Sequence, residues 1–382
     1  MQRVSIPSLK AGMIVASNIY SADGRLLVTT GTTLSPRAIY KLKQLGVGSV
    51  YVQNPLFADL EVPELVTEDT RVKTMLALQD AVANFRKTQE LDIEGLKGPV
   101  RSLVSETILN RDSLVHLTDM RVHEDYIYGH SVNVCVLAVM VALGMEYNEA
   151  KLSDFALGVL LHDIGMVNIP QEILLKVGNL TPEESAIVQN HTEIGFGIVR
   201  KLRDLSTPAA HIAYQHHERM DGKGYPRQLT ADDIHEFARI TLVADVFDAL
   251  IADRPYRNGF LPHEACELLM TLADSYLDRQ FLDLFLANVA PYPIGTTVKL
   301  ESGAHAIVTG VQPKLQSRPT VRLVTDKNGN PLREPQELNL AEHLTEFIAK
   351  VLKEREIFAL SKALTQAGQK TEPPASEPPP AE

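Results

Sequence analysis

Between about residues 66 and 290, apolar side chains recur every three or four positions in one segment after another. That spacing belongs to amphipathic helices. It commits the middle of the chain to a helical body long enough to enclose one core. Helices are predicted over 72–88, 100–117, 130–143, 149–162, 183–203, 208–217, 234–253, 262–272 and 279–288. On either side the period falls to two. Residues 13–21, 26–30 and 49–52 read as strands, the first two joined by a turn at Ala22-Asp23-Gly24. Ser35-Pro36 reads as the start of a short helix ending at Gly46, with Ser35 as N-cap and Pro36 at the first helical position. Beyond Pro291 and Pro293, strands are predicted over 297–300, 306–311 and 320–324, with turns at Ser302-Gly303 and Asn328-Gly329, then a helix over 341–364. The expected fold is mainly α. A helical bundle occupies 61–292, a small α+β module 1–60 and a small β-barrel-like module 293–345, with a C-terminal helix over 346–370. Five prolines and three glutamates in 371–382 make that tail unable to build a core, and it is expected to be disordered.

Composition narrows the function. Hydrophobic residues make up 45% and charged residues 22%, as in soluble globular proteins. The longest apolar run, 134–145, is too short to span a bilayer and reads as a buried helix, so no membrane insertion is expected. The N-terminus has no apolar signal core. The two cysteines, Cys135 and Cys266, lie in apolar contexts and form no disulfide framework, which points to the cytoplasm. A net charge of −11 argues against a nucleic-acid polymer as partner. It leaves room for a small phosphorylated ligand held by a few local cations.

Eight of the twelve histidines lie between His116 and His217. Several are paired with acids: His162-Asp163 at the end of an apolar helix, His191, His216-His217 before Glu218, and His130. Imidazole and carboxylate together suit first-row metal ions. Each has a plainer reading. His162-Asp163 can cap a helix, and one of His216 and His217 can face solvent. Asp245 is harder to dismiss, because an acid within ITLVADVFDAL must be paired, protonated or bound to a metal. Asp248, three residues on, shares its face and can orient a ligand. His116 and His123 fall about 10 Å apart along a helix, too far to share an ion. His211, His235, His263, His305 and His343 read as surface or interface residues. Asp221-Gly222-Lys223-Gly224-Tyr225-Pro226 is a shaped loop. Arg254 and Arg257, just past the Asp245 helix, have the fork geometry that suits phosphate; the plainer reading is two solvated arginines at a helix end.

Taken in order, the segments GHSVNV (129–134), LLHDIGMVNIP (160–170), NHTEIG (190–195), HHERMDGKGYP (216–226), ADVFDAL (244–250) and RPYR (254–257) resemble the HD-GYP family of HD-domain phosphohydrolases. The N-terminal module also looks like the small domain often fused ahead of them. The resemblance implies a helical HD-domain bundle and a two-metal centre of iron or manganese that hydrolyses cyclic di-GMP to pGpG or GMP through a bridging hydroxide. It implies His130, His162, Asp163, His191, His216, His217 and Asp245 as metal ligands, with Asp163 as the bridging, catalytic carboxylate. His162, Asp245 and His130 would complete one metal; His191, His216 and His217 would hold the other. Arg254, Arg257 and Lys223 are the implied substrate contacts. The Gly224-Tyr225-Pro226 loop is the implied contact for diguanylate cyclase (GGDEF) domains. A second copy of the chain is a further expected partner. Two positions depart from the family pattern. Met166 stands where the motif HDIGK has lysine, and Tyr126 stands where three-metal members carry glutamate, so two ions are expected rather than three. The alternative to an enzyme is a slow, metal-retaining sensor or scaffold.

Overall fold

The computed structural model describes residues 2–20, 26–54, 57, 60, 62–114, 126–174, 176, 178–252 and 259–369. The turn at 22–24, His116, His123, Glu124, Asp125, Arg254, Arg257 and the tail 371–382 lie outside them.

In the first module β1 (Gln2–Ser5) pairs antiparallel with β4 (Ser49–Val52), and β2 (Ile19–Tyr20) with β3 (Leu26–Val28). The strand expected over 13–21 is shorter than predicted; Ile14 and Val15 make only isolated bridges. Helix α1 (Pro36–Gln44) starts as expected, the Ser35 hydroxyl accepting from the Ala38 N–H. Val4, Val15, Leu34, Leu42 and Val50 form its core.

The helical body follows, from α2 (Glu68–Thr88) and α3 (Glu94–Leu109) to α4 (Tyr126–Gly144) and α5 (Glu149–Leu160). A 3-10 turn over Ile164–Asn168 leads to α6 (Gln171–Leu174), α7 (Pro182–Gln189), α8 (His191–Val199) and α9 (Thr207–Gln215). Then come α10 (Glu236–Ile251), α11 (Pro262–Thr271) and α12 (Arg279–Leu286). Helix α4 is apolar on every side, which is the pattern of a core helix. The window Ile127–Gly144 is long and apolar enough to cross a membrane, but 78% of it is buried inside this fold. Val134 through Ala142 are all buried, on a helix packed chiefly against α5 and α10 and also against α2, α3 and α12. The helix predicted over 183–203 is two helices, α7 and α8, meeting at Asn190. That break places His191 at a helix start. Both cysteines are buried and unbridged, and burial pushes their thiols up to about 12.

The last module is, as expected, a small β module: a five-stranded antiparallel sheet. Its strands are β5 (Thr297–Leu300), β6 (His305–Gly310), β7 (Thr320–Thr325), β8 (Pro331–Asn339) and β9 (Ile348–Val351), in the order β8-β7-β6-β5-β9. The helix expected over 341–364 is corrected: β9 occupies its middle, and α13 (Glu354–Gln369) starts only afterwards. The reason is a bulge. Val298 pairs with Val351 and Leu300 with Ile348, so residues three apart reach one face, a spacing that imitates a helix. The edge strand β8 was missed because PLREPQELN has no apolar alternation; its prolines suit an edge. Helix α13 packs Leu360 and Ile357 with Phe57, Ile307 and Val324, and lays Phe358 on the first module.

Candidate metal centre

Four histidines owe their aim to the secondary structure around them. His162 follows α5, and its Nδ1 lies 2.8 Å from the Val159 carbonyl oxygen. His191 opens α8, with Nδ1 2.7 Å from the Val188 oxygen of α7. His216 follows α9, with Nδ1 3.0 Å from the Ile212 oxygen. A carbonyl can only accept, so each Nδ1 carries the proton and each Nε2 is left with a bare lone pair. All three carbonyls belong to the last turn of a helix, where the partial negative charge favours a cation. His130, on α4, is held differently. Its Nδ1 is 2.7 Å from Oδ2 of Asp248, a fully buried carboxylate on α10. Such a partner fixes the ring and raises its basicity.

The rings converge on Asp163. Its Oδ1 lies 3.2 Å from His191 Nε2 and 3.5 Å from His216 Nε2. Its Oδ2 lies 3.4 Å from His162 Nε2 and 3.9 Å from His130 Nε2. Asp245, on α10, has Oδ1 3.0 Å from His130 Nε2 and Oδ2 3.9 Å from His217 Nδ1. Two ligand sets result: His130, His162 and Asp245 on one side, and Asp163, His191, His216 and His217 on the other. The seven residues come together from five places in the sequence. The plainer reading of His162-Asp163 as a helix cap holds for His162 alone, whose Nδ1 meets the Val159 carbonyl oxygen at the end of α5, while Asp163 is turned to the cluster.

Electrostatics favour a cation here. His191 and His216 turn their Nε2 atoms on each other at 3.3 Å. Two lone pairs that close repel unless a positive charge sits between them. Among the described residues His162 Nε2 and Asp163 Oδ1 are buried without a hydrogen-bond partner. Leaving such a group unpaired costs about 1–3 kcal/mol. Among these rings a proton is favoured on His162 and disfavoured on His216 and His217. Burial and the neighbouring imidazoles lower the pKa of His216 and lower that of His217 further, so both stay neutral at neutral pH. Burial works against the charge on Asp163, but the positive charge favoured on His162 outweighs it, and the carboxyl is held well below its usual range. His162 is raised: burial opposes its charge, and Asp163 and Asp245 overcome it. Imidazoles around ionised carboxylates, with His162 Nε2 and Asp163 Oδ1 buried and unpaired, fit first-row divalent metals.

Glycine allows the close packing behind Asp163. A Cβ on Gly165 would lie 1.9 Å from the His191 carbonyl oxygen, so only glycine lets the 3-10 turn sit on the start of α8. Gly165→Ala is expected to cost about 1–3 kcal/mol or more of stability and to empty the His191 side of the site. Thermal unfolding and metal content measure both. Gly224 does the same for the 216–226 segment: its Cβ would lie 2.5 Å from the backbone of His217, Glu218 and Arg219. Buried Glu218 pins that loop by accepting from the N–H groups of Arg227 and Leu229 at 2.7 and 2.9 Å. The Tyr225 ring then lies 4.7 Å from the His217 ring. Tyr225 is therefore partly a wall of the site. Lys223 is exposed, with Nζ 4.0 Å from Asp221. His235 is the N-cap of α10, its Nδ1 accepting from the Phe237 N–H. Sequence reasoning missed the carbonyl acceptors, which leave no trace in side-chain identity. It also missed Asn133, whose one signal was a polar residue in an apolar run.

Residues 111–281 match the HD domain family, and residues 297–360 match a KOW domain associated with HD domains. A cyclic di-GMP phosphodiesterase of Pseudomonas aeruginosa is 33% identical over 225 residues, 58% of this chain and 54% of that protein. A cyclic di-GMP phosphodiesterase of Thermotoga maritima is 38% identical over 169 residues, covering 44% and 45%. A 3'3'-cGAMP-specific phosphodiesterase of Vibrio cholerae is 44% identical over 129 residues, covering 34% and 25%. The chain thus spans about half the length of the first two relatives and a quarter of the third.

Proposed function

We propose, from the premise that residues 111–281 belong to the HD domain family, that this protein is a metal-dependent phosphodiesterase acting on cyclic di-GMP. The observation that carries the reading is the cluster of bare Nε2 lone pairs aimed at Asp163 and at one another. Two divalent ions, iron or manganese, are the proposed occupants. His130, His162 and Asp245 would hold one, His191, His216 and His217 the other, and Asp163 both. When bound, such ions would supply Lewis acidity and lower the pKa of a water. The protein's own part is to keep that site charged and dry. Asp163 stays ionised and supplies the negative charge between the two ligand sets. Asp248 keeps the His130 ring turned toward the centre. Tyr225 and His217 close one side. Arg254, Arg257 and Lys223 are the cations proposed for the substrate phosphates, where charge develops during cleavage. The products would be pGpG, GMP or both. GGDEF domains would meet the loop at Lys223 and Pro226, because Tyr225 is turned onto His217.

Met166 favours a second reading. It is half-buried on the turn that carries Asp163, apolar where the family motif has a cation, which suits a slow enzyme that works as a sensor or scaffold. The test is to incubate metal-loaded protein with cyclic di-GMP and, in parallel, 3'3'-cGAMP, and to separate the products. Rapid formation of pGpG or GMP is the expected result. Tight binding without product supports the sensor. Preferential cleavage of the mixed dinucleotide transfers the reading to that substrate. Chelation should abolish turnover, and added Mn2+ should restore it.

A further inference from the structure

Helix α2 lies outside the stretch matching the HD domain, yet it reaches the metal centre through a buried polar chain. Arg71, only 7% exposed, donates from Nε to the Val66 carbonyl oxygen at 3.2 Å and from Nη1 to Asn133 Oδ1 at 3.4 Å. Asn133 stands three residues after His130 on α4, on the same face. Its Nδ2 donates to Asp248 Oδ1 at 3.2 Å, and the other oxygen of Asp248 holds His130 Nδ1 at 2.7 Å. Every direction in this chain is determined. A guanidinium only donates, so the amide oxygen of Asn133 must face Arg71. Its NH2 group must then face Asp248. An ionised carboxylate only accepts, so His130 must carry a proton on Nδ1, which turns its Nε2 toward Asp245 and Asp163. The charges balance as well. Glu64, Asp248 and Glu106 are the carboxylates that act on Arg71. Glu64 is exposed and Glu106 is bonded to Thr67 and Thr70, so Asp248 is the fully buried carboxylate of the three.

We propose that Arg71 is a positioning residue for the metal centre, acting through Asn133 and Asp248 to set the tautomer and aim of His130. This rests on the reading of His130 as a metal ligand. The HD-matching segment would then be incomplete without the helix that precedes it.

The test uses the full chain and Mn2+ alone, titrated by equilibrium dialysis, with thermal melting of each variant with and without the ion. Wild type should bind two ions. Arg71→Met should weaken one site about 10-fold, at the lower end of what loss of a metal ligand's partner costs, and spare the other. Arg71→Lys should recover part of the loss, and Asn133→Ala should reproduce it. On an Asp248→Asn background, Arg71→Met should add less than about twofold, because residues acting in one chain are not additive. A merely structural arginine would lower the melting temperature of metal-free protein without this site-selective loss or non-additivity. If Arg71→Met does not fold, Asn133→Ala carries the same comparison. Two ions in wild type with unchanged affinities in Arg71→Met, or in Asn133→Ala where the former does not fold, overturn the proposal alone. A wild type that binds no Mn2+ sinks the metal reading and this proposal with it.

Discussion

Asp163→Ala is expected to reduce the metal content from two ions per chain to at most one, and to bring turnover below about 1% of wild type. The two carboxylate oxygens face different ligand sets, Oδ1 toward His191 and His216 and Oδ2 toward His162 and His130. Asp245 also reaches both sets, but it faces a single ring on each side, His130 at 3.0 Å and His217 at 3.9 Å, where Asp163 faces two on each. Two divalent ions about 3.5–4 Å apart repel strongly unless an anion lies between them. Removing one terminal imidazole subtracts one bond from one ion; removing Asp163 subtracts a bond from each and the charge that lets them coexist. The loss should therefore exceed the roughly 10- to 100-fold that follows when only a partner of a ligand is removed. His216→Ala should cripple the site less completely. His235→Ala is the control: it loses an N-cap worth about 0.5–2 kcal/mol and touches neither ligand set. Metal analysis and turnover on the same preparations decide the matter. Full metal content in the Asp163 variant would falsify the bridging assignment.

What made the site legible was the cost of burying charge. Asp245 inside ITLVADVFDAL and His162-Asp163 after an apolar helix had few physically acceptable explanations, and the structure brings both to one point. Asn133 posed the same problem in SVNVCVLAV but drew no reading of its own beyond its place in the GHSVNV segment. Arg71 gave no local signal at all. It sits in an ordinary helix about 60 residues upstream, and only the packing of α2 on α4 gives it a role. The helical body was legible because its core face repeats over many turns. Its breaks were not: Asn190, between α7 and α8, has near-helical backbone angles, so the sequence runs through it without a stop signal. At the C-terminus a single bulge in the pairing of β5 and β9 gave strand residues the spacing of a helix. Periodicity is blind to such a defect, since it counts residues and not hydrogen bonds.

Met166→Lys is expected to raise the rate with cyclic di-GMP by roughly 10- to 150-fold. A charge-assisted hydrogen bond to an anion contributes about 1.5–3 kcal/mol, and about 1.4 kcal/mol corresponds to a decade in rate. Met166 is the third residue after Asp163, half-buried on the same 3-10 turn, so a longer cationic side chain there starts close to the reacting phosphate. The described lysines around it do not substitute for that cation. Lys176 is paired with Glu184, within the capping box that starts α7. Lys223, one of the proposed phosphate contacts, stands on the 216–226 loop beside Asp221 with its side chain 75% exposed, and not on the turn that carries Asp163. The division between kinetic constants is informative. A contact that strengthens as negative charge builds on the phosphate raises kcat. One that holds ground state and transition state equally lowers KM and leaves kcat unchanged. Wild type and variant should be assayed at matched metal occupancy, because a lysine near the centre also repels the ions. Equal kcat/KM in the two proteins would show that the lysine is dispensable on this scaffold. The apolar residue at 166 would then give no reason to read the protein as a sensor rather than an enzyme.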